Sequence, residues 1–316
     1  MNKKNRNPNI FDAVQAFEAI NQNGLYQQLR YTKSTDSGSH FQGIAKYGSH
    51  YITVRDTIYG VFQKKRWDSG IISCFSSDNG SLEFEVKTGT EHCNHPGGIQ
   101  VIGDYLITTN EYHYGSAYYH TKIALHTFQS EEKVSIVDST IIYDSELHSG
   151  YEKLSSTAVG ITHYLLPNSD IGWLVVNYAS NGKIMFFVNH TGNITNQLQF
   201  VNEISIDNFP KSYTTQNIGL FTDKNNNMYI VLFASKEANG SYEDRMFLYQ
   251  IINSGGKWEM HFLKDRHLVT VHPNTTDTGV HCRYGCGLII YEDRLNLIAC
   301  EKDASSRGNF DINIFI

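Results

Sequence analysis

The chain has 316 residues, 40% of them apolar and only 18% charged, enough to bury a sizeable core in one large all-β domain or two ordinary ones. A net charge of −6 and a single short basic run at residues 64–66 exclude a nucleic-acid backbone as a partner. No segment approaches the roughly 20 apolar residues of a membrane-spanning helix, and five cysteines are too sparse and odd a set for a disulfide framework.

The basic start, MNKKNR, is not followed by an apolar stretch long enough for a signal peptide. A reduced, cytoplasmic chain without a membrane partner is therefore expected. The segment NIFDAVQAFEAINQNG (9–24) predicts a short amphipathic helix ended by Gly24, so residues 1–24 form a helical extension. LYQQLRYTKS (25–34) follows as a strand, and no convincing helical periodicity appears beyond residue 30.

From there a pattern recurs: a polar residue, two variable positions, then glycine and an aliphatic residue. The copies are His40 to Ile44, His95 to Ile99, Thr157 to Ile161, Gln216 to Leu220 and, more loosely, Tyr284 to Leu288. Each is followed, after a turn, by a strongly apolar strand: YITVRD (51–56), YLITTNE (105–111), WLVVNY (173–178), YIVLFAS (229–235) and LNLIACE (295–301). Further strand signals fill each interval, among them KIALHTF (122–128), KIMFFVN (183–189), RMFLYQII (245–252) and KWEMHFL (257–263).

The repeated glycines stand about 55 to 70 residues apart, room for four strands and their turns. Four strands per unit in five units predict a single all-β domain over 25–316, a five-bladed β-propeller with blades starting near 40, 95, 157, 216 and 283. The shared glycine suits strands that converge on an axis. After Gly287 only three strands fit, so the strand at 25–34 is expected to complete the last blade. Two stacked β-sandwiches are the rival arrangement, and they do not account for the matched hairpins.

In antiparallel pairs the start of one strand and the end of the next share an edge. The polar starts and ends of these hairpins should therefore meet at one end of the strands, where a channel opens. His40, His95 and Glu111 are the candidate catalytic residues there. Gln42, Arg55, Asp56, Asn177, Tyr178, Gln216, Arg283 and Glu301 are the candidate ligand-binding residues. The expected ligand is a polar small molecule or saccharide, bound by a monomer.

The five-bladed outline resembles that of several glycosidase families, which place three carboxylates near the starts of inner strands of successive blades. The resemblance implies a hydrolase acting on sugars. The equivalent starts here, His40, His95, Thr157, Gln216 and Tyr284, include no carboxylate. A His/Tyr/Arg set suits proton abstraction from a uronate polymer instead, with His40 or His95 as base, Arg55 or Arg283 against the substrate carboxylate, and Tyr112 or Tyr178 as donor. A non-catalytic binding module using the Tyr-rich loop 111–120 is the alternative.

No cofactor is expected. A divalent metal is the lesser alternative, with His92, Cys93, His95, His281, Cys282 and Cys286 as the available ligands. No zinc spacing occurs among them, and Cys282 and Cys286 on one extended strand would stand ~13 Å apart, too far to share an ion.

Overall fold

The computed structural model describes residues 10–30, 41–56, 70–90, 93, 95–114, 118–147, 156–166, 168, 170–179, 182–206, 209–238, 241–270, 279–291, 293–302 and 309–316. The chain opens with helix α1 (Ala13–Ala19) and strand β1 (Leu25–Arg30). One four-stranded sheet follows, β2 (Phe41–Tyr47), β3 (His50–Arg55), β4 (Ile71–Ser76) and β5 (Leu82–Lys87). Next come β6 (His95–Ile102), β7 (Tyr105–Tyr114), β8 (Tyr118–Phe128) and β9 (Ile136–Asp144), then β10 (Ala158–Leu165), β11 (Ile171–Tyr178), β12 (Lys183–Asn189) and β13 (Gln199–Ser205). A further sheet comprises β14 (Thr214–Thr222), β15 (Met228–Ala238), β16 (Ser241–Ser254) and β17 (Lys257–Leu268). The last strands are β18 (Val280–Ile290), β19 (Leu295–Glu301) and β20 (Asn309–Phe315).

The fold is all-β, as the period-two patterning implied. Within each repeat consecutive strands pair antiparallel, and β1 pairs with β20 along its whole length, from Leu25↔Ile314 to Arg30↔Asn309. The strands form three four-stranded sheets and one of eight, ordered β13-β12-β11-β10-β6-β7-β8-β9. Separate sheets had been expected for the second and third repeats. They join at one parallel bridge, Ala158↔Gly98, where the Gly98 amide donates to the Thr157 carbonyl at 2.8 Å. A Cβ on Gly97 would collide with that same carbonyl, so the paired glycines are what lets β6 come this close to β10.

The first strands of the repeats pack on one another in the order β2, β6, β10, β14, β18 and back to β2. Among the described residues five apolar cores follow the same succession. One lies between β2–β5 and β6–β9 and centres on Ile52, Val54, Leu106 and Phe128; the next holds Ile123, Leu125, Val175 and Phe187. A third joins Leu174 and Phe186 to Leu232 and Phe247, a fourth joins Val231 and Phe233 to Leu288 and Leu297. The fifth brings Ile298 and Ile312 against Phe41 and Ile44. Each fully buried side chain of this size contributes about 1.5–3 kcal/mol. Strands β11 and β19 are buried on both faces, whereas outer strand β13 is exposed or only partly buried throughout.

Gln100 ties the middle of the fold together. It is buried, and its amide donates to the carbonyls of Ile161 (3.0 Å) and Leu220 (2.7 Å). Its oxygen accepts from the amides of the same two residues, at 3.1 and 2.9 Å. One side chain from β6 thus satisfies the inner edges of both β10 and β14.

The N-terminal helix is shorter than the sequence implied. Asp12 caps it by accepting from the Gln15 amide at 3.0 Å, but it ends at Ala19 and not at Gly24. The Arg266 guanidinium takes the carbonyls of Phe17, Glu18 and Ile20, which terminates the helix. Phe17 and Ile20 then drop into the core shared with β14–β19. Gly24 serves packing instead, because a Cβ there would meet the Asn313 side chain. Among the described residues no helix is long and apolar enough to cross a membrane.

Candidate ligand site at the strand ends

The observed registers put the predicted polar residues at one end of the strands. His95 lies opposite Glu111, Phe41 opposite Arg55, Ala158 opposite Tyr178, and Val280 opposite Glu301. His40 lies outside the described residues, as do His92 and residues 115–117 of the Tyr-rich loop.

The structure brings Gln42, Asp56 and His95 together across two repeats. The Asp56 carboxylate is 3.5 Å from His95 Nδ1, the range of a charge contact, and the Gln42 amide is 3.3 Å from His95 Nε2. A carboxylate on Nδ1 favours the proton there, so Nε2 carries the lone pair and Gln42 donates to it. The His95 and Asp56 side chains are 28% and 21% exposed, so this pair remains open to a ligand.

Glu111 and Asn177 are linked through Ser156, a residue the sequence did not single out. The Ser156 amide donates to Glu111 Oε2 at 3.0 Å, and its hydroxyl donates to Asn177 Oδ1 and contacts the Thr109 hydroxyl. Arg283 extends its guanidinium over the Tyr284 ring at 5.1 Å, with the Lys302 ammonium 5.0 Å from the same ring. The Arg283 amide donates to Ser235, and Asn217 donates to the carbonyls of Arg283 and Tyr284.

Three predicted residues are engaged by the scaffold. Arg55 is buried, donating through Nε and Nη2 to Glu85 Oε1 at 3.3 and 3.2 Å, while Ser73 donates to the same oxygen at 2.7 Å. Glu301 accepts from the Asp311 amide at 2.7 Å and joins β19 to β20. Tyr178 packs its ring into the apolar core, where burial raises its phenol pKa, and its carbonyl receives the Thr157 amide.

Several buried polar atoms at this end find no hydrogen-bond partner among the described residues: Asn110 Oδ1, Asn177 Nδ2, Gln216 Oε1, Asn217 Oδ1 and Arg283 Nε. They come from four repeats. Each such atom costs about 1–3 kcal/mol if left unpaired, so their concentration at this end of the strands calls for a partner. Acceptors and donors are mixed in the set, a combination that hydroxyl groups can meet from either side.

Cys282 and Cys286 approach each other more closely than a fully extended strand would place them. Strand β18 is irregular against β19 between Val280 and Gly285, and the Cys282 thiol hydrogen-bonds to Cys286. The bulge shortens the path that a fully extended strand would span. That bond and burial push the Cys282 thiol well above its ordinary range, and burial raises that of Cys286. Among the described residues no three His, Cys, Asp or Glu side chains are grouped as metal ligands.

No protein-family model matches the chain, and no curated protein matches its sequence. Its backbone is similar to solved structures. One is a glycosyl hydrolase from Bacteroides ovatus, with a TM-score of 0.50 and 7% identity over 98% of this chain and 96% of that one. A second is xylan beta-1,4-xylosidase from Bacillus halodurans C-125, at TM-score 0.49 and 12% identity over 90% of this chain and 54% of that one. A third is the catalytic domain of the Coprinopsis cinerea GH62 alpha-L-arabinofuranosidase, at TM-score 0.48 and 10% identity over 93% and 95%. At such identities the likeness is one of fold.

Proposed function

We propose that the chain is a five-bladed β-propeller, closed by β1 in the last blade, that holds a saccharide or similar polar small molecule at the mouth of its channel. The cyclic packing of the first strands and the five successive cores support the architecture. One observation carries the function: the buried, unpartnered polar atoms of Asn110, Asn177, Gln216, Asn217 and Arg283 gathered at one end of the strands. A ligand rich in hydroxyls supplies both the donors and the acceptors that these atoms require. The fold neighbour from Bacteroides ovatus is a glycosyl hydrolase, but fold does not fix function and the polar atoms bear the weight.

Where chemistry follows binding, His95 is the base. Asp56 orients its ring and stabilises the imidazolium formed on proton uptake, and a ligand hydroxyl that displaces Gln42 reaches Nε2 directly. Glu111 acts one step back, holding Ser156 and through it Asn177.

Calorimetric titration with a panel of neutral and uronate oligosaccharides tests this. Gln216→Ala should weaken binding at least tenfold with little loss of melting temperature, since it deletes an atom that the fold leaves unpaired. Asn177→Ala should weaken binding likewise, with an added loss of stability because it also removes the acceptor of the Ser156 hydroxyl. Any turnover should fall about a hundredfold or more in His95→Gln. Failure of every saccharide to bind, or binding indifferent to both substitutions, would overturn the reading.

A further inference from the structure

A second site lies on the face of the β14–β17 sheet. Pro210 and Tyr213, just before β14, border an open pocket of about 370 Å³ together with side chains from β15, β16 and β17, the size that suits a small ligand. Glu243, Arg245 and Phe247 alternate along β16 and so share one face. Lys236 stands opposite Glu243 on β15, and Asp265 opposite Phe247 on β17.

Arg245 is held between two carboxylates, Glu243 on Nε at 2.8 Å and Asp265 on Nη1. Its plane is therefore fixed, yet the three side chains are each about a third exposed: 34%, 32% and 34% for Arg245, Glu243 and Asp265. Phe247 forms the floor, with the Tyr213 ring edge-on to it at 5.6 Å. Phe262 presents a ring that is 40% exposed beside them. Desolvation, reinforced by a hydrogen bond to Glu243, pushes the Tyr213 phenol up to about 12, which keeps it protonated at neutral pH.

The charge balance selects the ligand. Two cations, Lys236 and Arg245, face two anions, Glu243 and Asp265, so an anionic ligand would meet the carboxylates and a cationic one the guanidinium. A neutral polyhydroxylated ligand meets neither difficulty. Its hydroxyls can accept from the guanidinium and donate to the carboxylates, while its apolar C–H face lies on Phe262. We propose that this pocket is a second binding site, for a neutral saccharide unit, formed by Tyr213, Lys236, Glu243, Arg245, Phe262 and Asp265.

The test is titration calorimetry of the full chain with neutral gluco-, manno-, galacto- and xylo-hexasaccharides, with uronate and glucosamine hexasaccharides as charged comparators. At least one neutral hexasaccharide should bind, tenfold or more tighter than either charged one. Phe262→Ala and Arg245→Gln should each weaken that binding at least tenfold, and Phe262→Tyr should retain it. The proposal fails if no neutral hexasaccharide binds, if the charged comparators bind equally well, or if Phe262→Ala binds as the wild type does. Binding lost in Asn177→Ala but kept in Phe262→Ala would sink this pocket and leave the mouth site standing; the converse would sink the mouth site alone.

Discussion

Replacing Gln100 should loosen the centre of the fold. In Gln100→Leu the side-chain volume is nearly kept, but the four bonds to the backbone of Ile161 and Leu220 disappear. At about 1 kcal/mol net per bond the loss is ~4 kcal/mol, and it grows where a buried group is left wholly unpaired. For a protein of ordinary stability that is a third or more of the total. Gln100→Glu should be worse at pH 7, because a carboxylate would face the carbonyls of Ile161 and Leu220 with no amide hydrogens to donate. Its pKa in the folded state would rise above the unfolded value, so relative to wild type this variant should regain stability as pH falls from 7 to 5. Urea unfolding followed by tryptophan fluorescence measures both effects as changes in midpoint at constant slope. A Gln100→Leu protein within about 0.5 kcal/mol of wild type would refute the assignment of Gln100 as the central tie, since surface-like tolerance of that kind does not fit four buried bonds.

Stability should also fall with acid. His126 sits neutral between the hydroxyls of Thr108 and Ser139, and burial lowers its pKa to about 3; burial lowers that of His163 to about 4. The unfolded chain takes up these protons near pH 6.5 and the folded one does not, so this stability is present above pH 6.5 and drains as pH falls. Each residue should cost about 2 kcal/mol between pH 6.5 and 5, and unfolding of His126→Gln across that range should show a shallower slope; an unchanged slope would count against the burial argument. The Arg55–Glu85 pair makes a third case. Glu85→Ala leaves a buried guanidinium and should destabilise by about 3–5 kcal/mol, whereas Arg55→Met with Glu85→Leu should be close to neutral in the same unfolding assay.

The sequence marked where the strands lie wherever apolar alternation runs between clear turns. KIMFFVN and LNLIACE coincide with β12 and β19 end to end. The spacing of the glycines showed which strands begin each repeat, and the hairpin geometry of 95–111 placed His95 opposite Glu111. Strands β4 and β5 fill the first interval, where the pattern implied further strands but named none individually. The N-terminal helix was drawn too long because the residue that ends it, Arg266, lies nearly 250 positions away.

The polar strand ends were legible in the sequence, but which of them touch was not, for the same reason. Asp56 and His95 were candidates as polar strand ends, but that they touch depends on how two repeats pack. Arg55 looked identical in pattern and turned inward to Glu85. Ser156 carried no signal, being one polar residue in a polar stretch, and Gln100 sat within an apolar run as an apparent irregularity. Strand existence and facing follow from local periodicity, which any six to ten residues carry in themselves. Which edge a side chain satisfies 60 or 120 positions away, and which polar atoms are left without a partner, follow from the approach of whole sheets. That approach was decided only when the tertiary structure set the strands side by side.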